Sequence, residues 1–104
     1  MESVIQKEKR CYVCGTTNNL MSHHIIYGTA NRKKSEEYGF KVWLCGRHHN
    51  LSNAGVHFNR ELDLHLKCLC ETWWLENGHT EEEWREVFGK WWVEEPEIEV
   101  PKIF

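Results

Sequence analysis

The sequence predicts a small α+β fold, a ββα unit followed by two helices. Three observations predict it. Two short runs rich in aliphatic and aromatic residues, Leu20 to Tyr27 and Phe40 to Cys45, end at turn or loop signals and read as strands. Leu62, Leu66, Leu69 and Trp73 recur at i, i+4, i+7 and i+11, which places them on one face of a helix. Trp84, Val87, Phe88 and Trp91 keep helical spacing behind a second helix-start signal. At 104 residues the chain has the length of one domain, 1–104, with 10–60 as its core and 61–104 as a helical, Trp-rich, acidic extension.

The elements follow in order. Cys11–Tyr12–Val13–Cys14–Gly15 is a tight turn by composition. Leu20 to Tyr27 is the first strand, and Gly28 closes it. Thr29 to Gly39 is polar, holds Arg32, Lys33 and Lys34, and reads as a loop. Phe40 to Cys45 alternates as a second strand, so the two strands predict a hairpin with a long basic loop. Arg47 to Asn53 reads as a short helix, broken at Asn53–Ala54–Gly55. Asn59 is a good N-cap for the longer helix, and Asn77–Gly78 stops it. Thr80 with Glu83 three residues on is a capping-box pattern. The tail after Pro96 has no assignment, and no repeat, low-complexity tract or Pro/Ser-rich linker interrupts the chain.

Composition narrows the setting. An apolar share of 40% supports a modest core, but a short chain buries a smaller fraction of its surface than a long one. Such a chain benefits from a metal or another staple. The N-terminus, MESVIQKEKR, does not resemble a signal peptide, and no run approaches a membrane span. A cytoplasmic location is expected, with no membrane partner. Five cysteines, an odd number, argue against a full disulfide framework there. The net charge of −3 is unevenly spread: residues 1–60 carry +5 and residues 61–104 carry −8. A basic half permits a polyanion partner on one face only.

Two sets of ligand-type residues stand out. Cys11-x-x-Cys14 and Cys45-x-x-His48 are two pairs with two-residue spacing, each at a predicted turn. Together they supply the four thiolate and imidazole ligands of a structural zinc site. That site would clamp the start of the chain to the end of the second strand, and metal-binding free energy would become folding free energy. Cys68 and Cys70, two apart on a helix, diverge and read as small buried hydrophobes. Of the seven histidines, His48 goes to zinc. His23 and His24 lie on the first strand, His49 beside the zinc ligand, and His57 after Gly55. A strand and a helix packed across it can bring His23, His49 and His57 to one centre, where a divalent metal would offset the cost of three buried imidazoles. His65 and His79 read as surface residues.

In combination, CYVCG, SHHII, LCGRHHN and VHF resemble the HNH (ββα-metal, or His-Me finger) nucleases. The spacing is most similar to phage-type members and to the Ref-like, RecA-dependent nucleases, over residues 10 to 60. The resemblance implies a zinc-stapled ββα-metal core with C-terminal helices. It implies a metal-dependent endonuclease of phage or prophage origin, hydrolysing phosphodiester bonds in double- or single-stranded DNA. Residue by residue, His23 resembles a ligand of the catalytic metal and His24 the general base. His49 and His57 resemble further ligands, and Cys11, Cys14, Cys45 and His48 the zinc frame. Magnesium or manganese is the implied catalytic ion, with phosphate oxygens and water completing its shell. Imidazole ligands alone would also suit zinc or nickel. The sequence departs from the family at one point. Many members carry an asparagine shortly before the second strand, which orients the base histidine through its backbone. Here the region reads SEEYGF, with Tyr38 near that place and Asn31 earlier. Glu36 reads as solvated, with a metal contact as its alternative.

This chemistry sets requirements. A neutral histidine, with a reference pKa of about 6.5, can take a water's proton near neutral pH. Strict strand alternation would point His23 and His24 to opposite faces, so sharing one site needs a twist or strand end there. Arg10, Arg32, Lys33, Lys34 and Arg47, with Lys7 and Lys9, are candidate phosphate contacts, which position a strand without reading its sequence. Nothing resembles a base-reading helix, so low sequence specificity is expected. Trp73, Trp84 and Trp91 follow core spacing, and the acidic Trp-rich half suits a protein partner better than DNA. Two other classes compete. A non-catalytic zinc-finger module binding nucleic acid would have no need of His24, and an adaptor would work through the Trp-rich half. The sequence leaves the oligomeric state open: a monomer would nick, a dimer would cut both strands.

Overall fold

In the computed structural model, residues 2–28, 30–49, 55–57 and 59–92 are described. The elements run β1 (Leu20–His24), α1 (Asn31–Tyr38), β2 (Lys41–Cys45), α2 (Gly46–His49), α3 (Arg60–Glu76) and α4 (Glu81–Phe88). Among the described residues this is a small α+β architecture of two antiparallel strands and four helices.

β2 forms where alternation is cleanest. Val42 and Leu44 are buried while Lys41 and Trp43 point outward. β1 pairs antiparallel with it, from Leu20 opposite Cys45 to His24 opposite Lys41. The first strand is shorter than predicted. Ile25 and Ile26 are both fully buried in succession, which a half-buried alternating strand does not do, and the chain turns away to Gly28 at φ 105°. One bond, Ile25 N–H to the Phe40 carbonyl at 2.9 Å, carries the pairing past the strand end. The other edge of β2 is covered by the N-terminal segment. Val4 N–H donates to the Gly39 carbonyl (2.9 Å), Trp43 N–H to the Gln6 side chain (2.7 Å), and Tyr12 N–H to the Trp43 carbonyl (2.8 Å). An open strand edge is thereby occupied.

The basic segment predicted as a loop is instead helix α1. Residues 30–38 contain neither glycine nor proline, and Arg, Lys and Glu are good helix formers. The segment has no apolar stripe, which is the signal that the loop reading required. Gly39 ends the helix at φ 74°, returning its N–H to the Ser35 and Glu36 carbonyls. A Cβ there would strike the Glu2 carbonyl oxygen. Ser35 is fully buried. Its hydroxyl donates to the Phe40 carbonyl and accepts from Ile26 N–H (3.2 Å), stitching α1 to both strand ends.

The long helix α3 starts as expected, with the Asn59 side chain accepting from Leu62 N–H, and is capped at Asn77. Its buried stripe is Leu62, Leu66, Cys70 and Trp74, so the predicted stripe drifts off after Leu66. Leu69 and Trp73 are only half-buried. α4 carries the full capping box between Thr80 and Glu83. It ends at Phe88, where Gly89 turns at φ 87°, so Trp91 is reached by a turn rather than by helical spacing. Trp91 is still buried, 5.6 Å from Trp84 between ring centroids. Phe40, Trp74, Trp84 and Phe88 interlock at centroid distances of 4.5 to 6.4 Å and form the centre of the core. The rest of the predicted helix from Arg47 to Asn53, at 50–53, and the tail after Pro96 lie outside the described residues. No helix among the described residues is long and apolar enough to cross a membrane.

Candidate metal centres

The first centre is built by two turns. After Cys11 the chain closes through Gly15 N–H to the Cys11 carbonyl at 2.8 Å, and Gly15 adopts φ 78°, so both sulfurs of Cys11-x-x-Cys14 face one way. Cys45 ends β2 and His48 sits in α2, which follows without a break. The Sγ of Cys14 and Cys45 are 3.8 Å apart, and His48 Nδ1 lies 3.6 Å from Cys11 Sγ and 3.2 Å from Cys45 Sγ. A tetrahedral ion with bonds typical of zinc would place two sulfurs about 3.8 Å apart and a sulfur and a nitrogen about 3.5 Å apart. The four donors fit that figure, and every cysteine is a free thiol. Burial opposes ionisation of Cys11, but backbone hydrogen bonds at Cys14, Cys45 and Val13 outweigh it and lower the thiol to about 6. Burial, and then the neighbouring sulfurs, push Cys45 up. A bound cation would relieve what disfavours the Cys45 thiolate. Cys11, Cys14, Cys45 and His48 can therefore hold a metal ion.

The second centre is made of imidazoles. His23 comes from β1 and His49 from the end of α2. His57 is folded back onto α2 by Val56 N–H to the His48 carbonyl (2.7 Å) and His57 N–H to the His49 carbonyl (3.4 Å). Ring centroids lie 5.4 Å (His23–His49), 5.3 Å (His23–His57) and 4.8 Å (His49–His57) apart. The Nε2 atoms of His49 and His57 are 3.3 Å apart, about the separation of two nitrogens on one tetrahedral ion. His23 Nε2 is buried with no hydrogen-bond partner among the described residues, a costly state that a cation would relieve. Burial, and then His49 and His57, bring the His23 pKa down to about 3, and burial lowers His49 as well. Burial thus disfavours the charged form at His23 and His49, and one ring nitrogen from each of the three histidines lies within 4.8 Å of the others, so the cluster can hold a metal ion.

His24 occupies a different position. Because β1 ends there, both neighbours line one open recess of about 560 Å³, together with Tyr27, Arg32, His49 and His57. His23 is buried at its back, and the half-buried His24 stands beside it. The Nε2 of His24 lies 2.9 Å from Glu36 Oε1, and Glu36 Oε2 accepts from Lys41 Nζ at 2.7 Å. Lys41 and then His24 hold the Glu36 carboxyl down at about 2. Glu36 is thus not simply solvated, as the sequence suggested. The contact was invisible without α1, which turns Glu36 back over the strand ends. Asn31 and Tyr38 serve the core instead. Asn31 Nδ2 donates to the Phe88 carbonyl (3.0 Å), and Tyr38 packs on Phe40, Trp74 and Phe88.

The basic residues divide. Arg32 is exposed at the recess and Lys33 is exposed beside it on α1, while Arg47, exposed on α2, also makes an interaction of its own. Lys34 is used internally, donating to the Val87 carbonyl at 2.6 Å, and Arg10 pairs with Glu8 at 2.6 Å. Lys9 lies over the Trp43 ring at 4.8 Å. Tyr27, which sequence reading passed over, stands edge-on to His57 at 5.5 Å, with the Lys67 ammonium 4.4 Å from its ring centre. Lys67 is itself buried and paired with Asp63 at 2.6 Å. His65 and His79 are not plain surface residues. His65 Nε2 meets the Tyr12 hydroxyl at 3.3 Å, and His79 stacks on Trp74 at 4.2 Å. Cys68 and Cys70 are buried on α3, and burial raises both thiols. In comparisons with models of protein families, with curated proteins and with solved structures, the chain has no significant match.

Proposed function

We propose that this chain is a metal-dependent endonuclease of the HNH class, hydrolysing phosphodiester bonds in DNA with low sequence specificity. The observation that carries the reading is the arrangement of the histidines in the recess. Three imidazoles converge on one point, and a fourth, His24, stands beside them in the same recess but outside the cluster. A non-catalytic zinc module needs no fourth ring beside the ligands.

In this reading Cys11, Cys14, Cys45 and His48 hold a structural zinc, and His23, His49 and His57 hold the catalytic ion, magnesium or manganese, with zinc or nickel as alternatives. The catalytic ion supplies charge neutralisation at the scissile phosphate and the departing oxygen. His24 takes the proton of the attacking water, worth about 10² to 10⁴ in rate. Arg32 meets a phosphate oxygen at the mouth of the recess. Lys33 and Arg47 contact flanking phosphates, which makes binding salt-sensitive without reading bases.

Plasmid cleavage in Mg²⁺ or Mn²⁺ tests this. The wild type is expected to nick or linearise the plasmid, and EDTA to stop it. His24→Ala is expected to lose about 10²- to 10⁴-fold in rate while remaining folded and zinc-loaded. A zinc-loaded wild type that binds DNA but cuts under neither metal would leave the binding module as the better reading.

A further inference from the structure

We propose that Glu36 is the positioning residue of His24, accepting a hydrogen bond from its Nε2–H and thereby leaving Nδ1 as the only basic nitrogen of the ring. This inference rests on the nuclease reading for its catalytic consequence, though not for its geometry. The Glu36 carboxylate is a fork, and His24 and Lys41 are among its partners, one on each oxygen. Oε1 faces His24 Nε2 at 2.9 Å and Oε2 faces the Lys41 ammonium at 2.7 Å. Lys41 is the cross-strand partner of His24, so one α1 side chain bridges the last pair of the β1–β2 ladder. The fork is held from below, because buried Ser35, the preceding residue, is bonded to both strand ends.

The chemistry is directional. An ionised carboxylate only accepts hydrogen bonds, and a lysine ammonium only donates them. With Lys41 on Oε2, the atom facing Glu36 Oε1 must bring a proton, so Nε2 is the N–H of His24. A neutral imidazole carries one N–H and one lone pair, and the lone pair is then on Nδ1. A carboxylate that orients an imidazole and fixes its tautomer is a general device in hydrolases, where losing the correct tautomer can cost as much as about 10⁴ in kcat. Here the device would do the work of the asparagine that the SEEYGF segment lacks.

The same bonds predict an unusual response to substitution. In Glu36→Gln the amide oxygen pairs with Lys41, and the amide NH₂ turns to His24. Nε2 must then accept, and the proton moves to Nδ1. Glu36→Ala removes the preference altogether. Long-range ¹H–¹⁵N spectra of the full-length, zinc-loaded protein, with His24 assigned by its loss in His24→Gln, read the tautomer without needing cleavage. The Nε2–H form is expected in the wild type, a mixture in Glu36→Ala, and the Nδ1–H form in Glu36→Gln. In the plasmid assay both variants are expected to lose at least about tenfold in kcat with KM unchanged. An unchanged tautomer in both variants would overturn the proposal, as would a shifted tautomer with kcat within twofold of the wild type. If the wild type cuts nothing, the nuclease reading falls and the ring signals alone decide whether Glu36 holds His24.

Discussion

His23 and His24 are adjacent in the chain and differ in what surrounds them. His23 is 2% exposed, and its Nε2 has no partner among the described residues, while His24 bonds a carboxylate at the rim. The sequence showed the pair, and the need for a strand end beside it was legible from strand alternation alone. The Glu36 contact was not, because it depends on where a helix without an apolar stripe lies. Cys70 shows the same limit in reverse: its burial was expected, and its electrostatics are now specific. Burial, then Glu71 and Cys68, raise its thiol well above the ordinary 9.0. A raised folded-state pKa stabilises fully below the unfolded value and loses that contribution as pH rises. Above pH 9.0 the unfolded chain releases this proton while the folded chain keeps it. Stability should therefore fall with a slope of up to about 1.4 kcal/mol per pH unit from this group. Urea unfolding from pH 8 to pH 10 is expected to show that extra slope in the wild type and not in Cys70→Ala. Equal slopes would mean that Cys70 ionises in the folded protein.

At the scale of elements, periodicity located α3 and its caps located both ends, but the stripe could not be fixed from the helix alone. Leu69 with Trp73 and Cys70 with Trp74 are each acceptable continuations of Leu62 and Leu66 at 3.6 residues per turn. What chooses between them is the element opposite. Trp74 meets Tyr38, Phe40, Trp84 and Phe88, which α1, β2 and α4 bring together. Leu69 and Trp73 border a shallow groove with Val4, Ile5 and Tyr12 of the N-terminal segment, whose docking on β2 left no sequence pattern. Trp74 also donates its indole N–H to the Thr80 carbonyl at 2.8 Å, tying α3 to the cap of α4. Trp74→Ala is therefore expected to cost about 3–5 kcal/mol in urea unfolding. Trp73→Ala, half-buried, should cost about 1–2 kcal/mol. Equal losses, or a larger loss at Trp73, would return the helix to the register first read from the sequence.

At the scale of the molecule, aromatic packing holds the described residues together, and a metal ion could add a second tie. Aromatic packing gathers α1, β2, α3 and α4 around Phe40 and Trp74, while the candidate thiolate centre ties residues 11 and 14 to 45 and 48. The latter was the most legible feature of the sequence, because ligand spacing is local and survives without knowledge of the fold. Its consequence is not local. His48 and His49 are successive residues of α2, one in each centre, and His57 is bonded to His49 through the backbone. Anchoring the first centre therefore places two of the three imidazoles of the second. Cys14 isolates this effect, since it is an exposed ligand whose replacement removes no core packing. Cys14→Ser is expected to lose the zinc proposed for the first centre and at least about 2 kcal/mol of stability, or roughly 8–16 °C in Tm for a domain of this size. It should also weaken Mn²⁺ binding at the histidine centre, read by electron paramagnetic resonance below the melting temperature, although none of its three ligands has changed. Retained zinc with an unchanged Tm would remove Cys14 from the centre. Lost zinc with undiminished Mn²⁺ binding would show that α2 holds His49 without help from the first site, and that the two centres are independent.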